Sequence, residues 1–143
     1  KTKVMYNNLR KEQCFEIGNS ALQVVEDHVY LGQLITAEPN HEIEVTRRIR
    51  MGWNTFGKHS KITTGTLPLS LRRNICSSCI LPVLTYGAET CTLAKRAQLK
   101  SRTTQRAMER KMVSVTLRDK NRAEWIKKQT VIKDVMVEIK KKK

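Results

Sequence analysis

Aromatic side chains and long apolar runs are scarce in this 143-residue sequence. Phe, Trp and Tyr together make up 5% of the residues, so the core is predicted to be aliphatic. No apolar run approaches the ~20 residues that a membrane-spanning helix needs, and residues 1–20 are mixed polar, unlike a secretory signal peptide. We therefore expect a soluble intracellular protein, nuclear or cytoplasmic, without a membrane partner.

Common catalytic side-chain sets are also absent from the sequence. The only aspartates are Asp27, Asp119 and Asp134, and none adjoins another. A pair of carboxylates that would hold two divalent ions is therefore missing. No glycine-rich phosphate loop and no Ser/His/Asp set are found either. We expect no catalytic residue, no metal site and no cofactor in this chain alone.

Four cysteines occur, and two of them have the spacing of a zinc or redox site, Cys76-Ser-Ser-Cys79. That pair lies within an apolar helical pattern, and no second C-x-x-C or H-x₃-H pair follows it. A structural zinc site needs four ligands in closely spaced pairs. The sequence therefore favours buried free thiols over a metal site.

Positive charge dominates the composition, and it is unevenly distributed. The net charge is +15, of which residues 95–143 contribute +12 (17 − 5) and residues 1–94 contribute +3 (11 − 8). A basic block of this density favours a polyanionic partner, with nucleic acid the first candidate because phosphate contacts release counterions. An anionic membrane surface and a solvated helix face are the alternatives.

The first third of the chain is predicted to form short strands. Gly18-Asn19 is a turn signal between two extended segments, Cys14–Ile17 and Ala21–Val25. A third extended segment is predicted over Val29–Thr36. Three short strands joined by tight turns predict a small antiparallel meander.

The rest of the chain has helical periodicity, and three main helices are predicted, over about 41–62, 68–86 and 95–115. Asn40 is expected to cap the first helix, and Pro82 to kink or end the second. Asp119 or Asn121, and then Thr130, are expected to cap two shorter helices. The predicted apolar faces are Val45, Ile49, Trp53 and Phe56; Leu71, Ile75 and Cys79; and Leu99, Thr103, Ala107, Met108 and Met112.

These elements predict an α+β fold that is mostly α. The predicted domains are a small antiparallel β element over residues 1–36, a helical bundle over residues 40–93 and a basic helical extension over residues 94–143.

Three motifs, in their order and spacing, carry a family resemblance: Tyr30-Leu31-Gly32, Leu81-Pro-Val-Leu-Thr-Tyr-Gly-Ala-Glu-Thr90 and Gln105-Arg-Ala-Met-Glu-Arg110. The chain resembles the C-terminal part of a LINE-type (non-LTR) retrotransposon reverse transcriptase. Lys1-Thr2-Lys3 looks like the end of the palm, and residues 28–35 look like the primer-grip hairpin. Residues 47–58 and 67–90 resemble thumb helices.

The resemblance implies a fragment of an RNA-directed DNA polymerase that holds a template–primer duplex, either RNA–DNA or RNA. It implies the missing palm and fingers as partners, and two Mg²⁺ ions in the full-length family enzyme. The chain departs from the family by lacking the catalytic carboxylates and by having Cys91 where the family usually has Trp. We therefore expect a truncated copy that is not catalytic alone.

The candidate nucleic-acid-binding residues follow from the resemblance and from the spacing of basic residues. Arg102, Arg106 and Arg110 are spaced by four and are predicted to share one helix face. The alternative for the basic residues is a solvated face, and for Tyr30 and Gly32 packing and a bend. The full set is Lys3, Tyr30, Gly32, Arg47, Arg48, Arg50, Lys58, Lys61, Lys100, Arg102, Arg106, Arg110 and Lys111.

A second interpretation is an independent helical module that binds nucleic acid or an acidic protein. A recognition module would need a helix carrying base-reading side chains after a tight turn, and no such helix is clear in the sequence.

Overall fold

The computed structural model shows an α+β protein that is mostly α, as the sequence predicts. It describes residues 2–6, 15–18, 20–38, 40–90 and 92–143. The chain divides into two compact units, residues 1–44 and residues 45–143. Residues 94–143, predicted as a separate extension, lie in the same unit as residues 45–90. No helix in the described part of the chain is long and apolar enough to cross a membrane.

In the described residues of the first unit, six short strands form three separate two-stranded pairs. One pair is parallel and two are antiparallel hairpins. The predicted three-stranded meander is therefore wrong, because the strands do not share one sheet. The pairs are β1 (Lys3–Val4) with β4 (Gln23–Val24), β2 (Glu16–Ile17) with β3 (Ser20–Ala21), and β5 (Asp27–Tyr30) with β6 (Gln33–Thr36).

The segment predicted as one strand over Val29–Thr36 is instead a hairpin. Leu31 and Gly32 both have positive φ, 47° and 78°, and Tyr30 pairs with Gln33 across the turn. Two consecutive residues with φ > 0 define the type I′ turn whose twist matches the two strands that it joins. The structure thus shows a hairpin where periodicity predicts a single strand.

Gly18 has a φ of +60° between β2 and β3, in agreement with a turn at this point. The predictions that involve Lys1, Cys14, Asn19 and Cys91 fall outside the described residues.

The helices of the chain follow one another from residue 41 onward. A π-helical turn, Cys76–Ile80, lies between α3 and α4 and continues both. The α-helices are α1 (His41–Lys58), α2 (Ser60–Thr63), α3 (Leu69–Ile75), α4 (Leu81–Leu84), α5 (Lys95–Met112), α6 (Ala123–Thr130) and α7 (Val135–Lys142).

Helix α1 begins as predicted. The side chain of Asn40 accepts a hydrogen bond from the backbone N–H of Glu42 at 3.1 Å, which satisfies one of the free donors at the helix start. Val45 and Phe56 are buried on the predicted apolar face. The predicted helix continues to 62, whereas the structure interrupts it at His59 and resumes it as α2.

The π-helical turn explains how Pro82 is accommodated without a break. A proline ring clashes with the carbonyl four residues before it in an α-helix. Here the N–H of Leu81 donates to the carbonyl of Cys76, five residues back, which widens the backbone just before the proline. The turn also rotates the buried face. Cys76, Ile80 and Leu84 are buried, so the predicted face of Leu71, Ile75 and Cys79 is wrong; Leu71 is exposed.

Helix α5 buries a different face from the one predicted. Met108 and Met112 are buried as expected, but Leu99 and Thr103 are exposed. Polar side chains take the buried positions in the middle of the helix, and an apolar periodicity does not detect them. The buried residues of α5 are Ala97, Ser101, Thr104, Gln105, Met108, Glu109 and Met112.

The two last helices start differently from the prediction. Arg122 is the N-terminal flanking residue of α6 and makes no side-chain cap, so neither Asp119 nor Asn121 caps this helix. Helix α7 begins at Val135, where Asp134 accepts from the N–H of Met136 at 2.9 Å. Thr130 is the last residue of α6 instead of the cap of α7.

One apolar core is shared by α1, the π-helical turn, α4, α5 and α7 of the second unit, so it includes residues beyond 93 that were predicted to form a separate extension. Phe56, Ile80 and Met112 lie in it, with Val135 and Ile139 from α7. Gly52 permits the close approach of α1 and α4, because a Cβ there would lie 2.5 Å from Cδ2 of Leu84. The remaining buried members are Cys76, Leu81, Leu84, Ala88, Met108, Ile132 and Met136.

Candidate nucleic-acid interface

The two units carry charge of opposite sign. Residues 45–143 hold 24 Lys and Arg against six Asp and Glu, a net charge of +18 (24 − 6). Residues 1–44 hold four against seven, a net charge of −3 (4 − 7). A division at the unit boundary therefore separates the charges more sharply than the division at residue 94 used in the sequence analysis. A polyanion would be attracted to the helical unit.

Helix α1 presents basic side chains on the face opposite its buried residues. Arg50 follows Arg47 by three residues, and Lys58 follows Arg50 by eight, so the three lie on one side of the helix. Arg50 and Lys58 are exposed. Arg47 is half-buried. Lys61, one turn beyond on α2, is exposed as well. Four of the predicted residues thus lie on or beside one outward face.

Arg48 is placed differently from its neighbours. It is only 6% exposed, and its guanidinium lies 4.5 Å from the centre of the Tyr86 ring. This cation–π contact ties α1 to the segment after α4. Arg48 therefore contributes to packing within the helical unit.

Helix α5 divides its predicted basic residues between solvent and protein partners. Arg102 is exposed, whereas Arg110 and Lys100 are half-buried. Lys111 places its Nζ 5.1 Å from the centre of the Trp53 ring on α1. Arg106 is bound inside the unit: Nη1 donates to Glu109, and Nη2 lies 3.2 Å from Oδ2 of Asp134. The three arginines share a face as predicted. Arg102 also contacts this network, because its Nε lies 3.9 Å from Oδ1 of Asp134, although 54% of its side chain stays exposed.

The network around Arg106 connects α5 to the loop between α6 and α7. Gln105 donates through Nε2 to the carbonyl of Lys133 at 2.8 Å and accepts from the N–H of Val135 at 2.7 Å. Its Nε2 also donates to Oε1 of Glu109 at 2.8 Å. The amide side chain of Gln105 thus pairs with a backbone carbonyl and a backbone N–H of the same loop, and these two hydrogen bonds hold the loop against α5.

Glu109 is fully buried within the same network. Burial raises the pKa of its carboxyl group, and the charge of Arg106 opposes that effect without reversing it. The carboxyl group accepts hydrogen bonds from Gln105 and Arg106. Glu109 therefore serves to hold α5 in place and is not available to a solvent-borne ligand.

Two adjacent arginines on α3 satisfy the carbonyl ends of other helices. Arg72 donates through Nη1 to the carbonyl of Met112, the last residue of α5, and through Nε to Leu67 at 2.8 Å. Arg73 donates through Nε to the carbonyl of Thr130, the last residue of α6, at 2.7 Å. Cations at helix C-termini are favoured by the unpaired carbonyls there. These two positive charges therefore belong to the fold.

The remaining predicted site residues lie in the first unit. Lys3 and Tyr30 line one surface pocket of about 220 Å³, together with His28 and the apolar side chains of Val25 and Ile35. Gly32 occupies the turn beside this strand and is exposed. The structure thus brings Lys3 and Tyr30 together, although they lie 27 positions apart in the sequence.

The cysteine pair lies where metal binding is unfavourable. Burial raises the pKa of the Cys76 thiol to about 12, with a smaller contribution from the Glu109 charge, so this sulfur stays protonated. Metal ligation requires the thiolate. Among the residues that the structure describes, no group of three or more His, Cys, Asp or Glu could hold a metal ion.

Sequence reasoning passed over an exposed tryptophan and the basic residues around it. Trp125 is 41% exposed on α6, and Lys127 and Lys128 follow it. The signal was present in the sequence, since Ile126 and Thr130 set the buried side of the helix and Trp125 lies off it. The other tryptophan, Trp53, packs edge-on against Phe56.

Comparison with known proteins gives one informative similarity. The chain is 33% identical to a Caenorhabditis elegans protein described as an uncharacterized transposon-derived protein, over 152 aligned positions. The alignment includes 100% of this chain and 54% of the relative, so the chain spans about half the length of the relative that it matches. No protein-family model matches the chain, and no solved structure matches it.

Proposed function

We propose that this chain is the primer-grip hairpin and thumb region of a retrotransposon reverse transcriptase, and that it holds a template–primer duplex. Its basic helix faces bind the phosphates of an RNA–DNA or RNA duplex. Chemistry takes place elsewhere, on the palm of the parent polymerase, where carboxylates absent from this chain would hold two divalent ions. This chain alone is not a polymerase.

The observation that carries the proposal is the charge of the helical unit. Its net charge is +18, and α1 and α5 each place basic residues on the side away from the core. Arg50 and Lys58 do so on α1, and Arg102 and Arg110 on α5. Lys and Arg contacts to phosphates position a protein on a duplex without reading bases. Such a surface fits a polymerase, which must hold every sequence that it copies.

The hairpin supports the same function. Leu31 is 76% exposed at the tip, and its positive φ is unfavourable for a residue with a branched side chain. Asn or Gly would relieve that strain at no loss of packing. A strained, exposed leucine beside Gly32 is expected where a turn must contact a ligand or another domain.

The similarity to a transposon-derived protein supports a transposon origin for this chain. That similarity extends over the full length of the chain, so it includes the hairpin, the bundle and the basic helices together. The palm and fingers of a parent polymerase would then be the partners of this chain.

The test is a salt titration of duplex binding by the wild type and two double variants. Arg102→Gln with Arg110→Gln removes charge from α5, and Arg50→Gln with Lys58→Gln removes it from α1. Each variant should weaken binding about equally on two unrelated duplexes. Each should also flatten the slope of log K against log salt by up to about two units, since the slope is about −0.9 per phosphate neutralised on B-DNA. Arg106 is left intact because its loss would break the network with Glu109 and Asp134.

A matched control removes two charges from the end of the chain, Lys140→Gln with Lys143→Gln. If this control reduces binding as much as the helix variants do, net charge alone is responsible and the thumb-like faces are not the contact. Strong preference for one duplex would favour a recognition module instead. Primer extension by the purified wild type with Mg²⁺, after removal of contaminating polymerase, would contradict the absence of catalysis.

A further inference from the structure

Trp125 is the most exposed large aromatic side chain of the helical unit after Tyr86, which lies under Arg48. Among the described residues, the indole of Trp125 makes neither a ring–ring nor a cation–π contact. Exposed tryptophan is unfavourable in water, because most of its surface is apolar. The position of this side chain is therefore not explained by the packing of the unit.

The local geometry of α6 turns Trp125 outward. Ile126 and Thr130 are buried and fix the inner side of the helix. Trp125 precedes Ile126 by one residue, which is about 100° around an α-helix. Its neighbours at i+3 and i+4 are Lys128 and Gln129, and both are exposed. Trp125, Lys128 and Gln129 therefore lie along one solvent-facing strip of the helix.

The surroundings of this strip are strongly basic. Residues 118–133 contain six Lys and Arg against Asp119 and Glu124, a net charge of +4 (6 − 2). Within the loop before the helix, Asp119 accepts from the N–H of Thr116 at 2.6 Å and from its hydroxyl at 2.9 Å. The basic side chains of this segment are all exposed: Arg118, Lys120, Arg122, Lys127, Lys128 and Lys133.

We propose that Trp125 is a stacking platform for an unpaired base of a single-stranded nucleic acid, with Lys128 and the neighbouring basic residues on its phosphates. Aromatic faces within cationic surfaces are the recurring means of binding single strands without sequence preference. A duplex does not offer the same contact, because its neighbouring bases cover each other's faces. The inference rests on the proposed function and adds to it a site for the unpaired strand.

The experiment compares a single-stranded oligothymidylate with a blunt duplex of equal length, using the full chain and anisotropy of a labelled oligonucleotide. Trp125→Ala should weaken binding of the single strand by about 5- to 150-fold and leave duplex binding nearly unchanged. Trp125→Phe should retain most of the affinity, since it keeps a π-face. Trp125→Leu should not, since it keeps only the apolar bulk.

A second measurement reads the stacking directly. In a Trp53→Phe background Trp125 is the only indole, and its fluorescence should be quenched by the single strand and not by the blunt duplex. Circular dichroism of each variant checks that the helices are retained.

The outcomes separate this inference from the proposed function. Unchanged single-strand affinity in Trp125→Ala, or equal loss on single strand and duplex, would overturn the stacking site while leaving duplex binding by α1 and α5 intact. No binding of any nucleic acid at low salt would overturn both. Single-strand binding that Trp125→Leu retains would show an apolar contact and not a stacked base, and would also overturn the inference.

Discussion

The two compact units differ in charge, in secondary structure and in where their apolar side chains lie. The described residues of 1–44 form strands of two to four residues and the first turn of α1, and none of their apolar side chains is fully buried. Residues 45–143 are helical and bury a continuous core that includes Phe56, Ile80 and Met112. Because burial of apolar surface is the main favourable term in folding, the comparison predicts that the two units differ in independent stability.

The largest expected effect comes from dividing the chain. A fragment of residues 40–143 retains the Asn40 cap and all buried members of the core, so we expect one cooperative thermal transition. A fragment of residues 1–93 loses Met108, Met112 and every core residue of α7, so we expect no cooperative transition. Calorimetry of both fragments and of the full chain shows whether each has a cooperative thermal transition. Cooperative unfolding of residues 1–93 would show that the basic segment is an appendage and not part of the core.

A second prediction tests which aromatic residue anchors the bundle. Phe56→Ala should lower the free energy of unfolding by about 3–5 kcal/mol, because the side chain is buried among core residues. Trp53→Ala should lower it less, because Trp53 is only partly buried at the edge of that core. Trp125→Ala serves as the comparison at the surface and should lower it least of the three, because 41% of that residue is exposed. Urea denaturation of the three variants gives the ranking, and equal effects at Phe56 and Trp125 would contradict the core assignment.

Two glycines of α1 provide a third, matched pair. Gly52→Ala should destabilise the helical unit by about 1–3 kcal/mol, because the new Cβ would lie 2.5 Å from Leu84. Gly57→Ala should stabilise it by up to about 1 kcal/mol, since nothing lies within 4 Å of the position of its Cβ and alanine favours the helix. The midpoint of urea unfolding is measured for each variant and for the wild type. Changes of the same sign would mean that α1 does not approach α4 closely.

The smallest expected effect concerns Glu109 and pH. Because burial raises its folded-state pKa above the usual value of 4.5, its stabilising contribution is fully present below about pH 4.5 and is lost as the pH rises through the folded-state value. Glu109→Gln keeps the neutral form at every pH. The stability of this variant relative to the wild type should therefore increase between pH 5 and pH 8. Urea midpoints across that range test this, and a constant difference would mean that Arg106 keeps the pKa of Glu109 at its usual value.

Local signals in the sequence predicted some helix boundaries and missed others. Asn40 marks the start of α1, and the end of α5 lies three residues before the predicted 115. The buried faces were less predictable. Gln105 and Glu109 are buried because they pair with the backbone of residues 133–135 and with each other, and a polar side chain carries no such information in an apolar pattern. Leu31-Gly32 is likewise an unusual dipeptide for a type I′ turn, so the hairpin was missed by periodicity.

The candidate site shows the same division. Charge density in the sequence singled out the segment that contains α5, whereas the basic residues of α1 were proposed from the family resemblance. The basic residues that contact other parts of the protein could not be predicted, because their partners are distant in the sequence. Arg48 contacts Tyr86, Arg106 contacts Asp134, and Lys111 contacts Trp53. Separations of 28 to 58 positions place those partners beyond any local pattern. Binding of the exposed residues to nucleic acid stays a prediction.

The π-helical turn at Cys76–Ile80 restricts how the length of this chain can vary among its relatives. One additional residue per turn rotates everything after it by about 100°, which brings Leu81 and Leu84 to the core. Loss of Ser77 or Ser78 would restore α-helical winding, turn those leucines toward solvent and set the ring of Pro82 against a carbonyl. Insertions and deletions are therefore expected in the loops around residues 64–67 and 113–121, while the residue count from Pro68 to Leu84 stays constant.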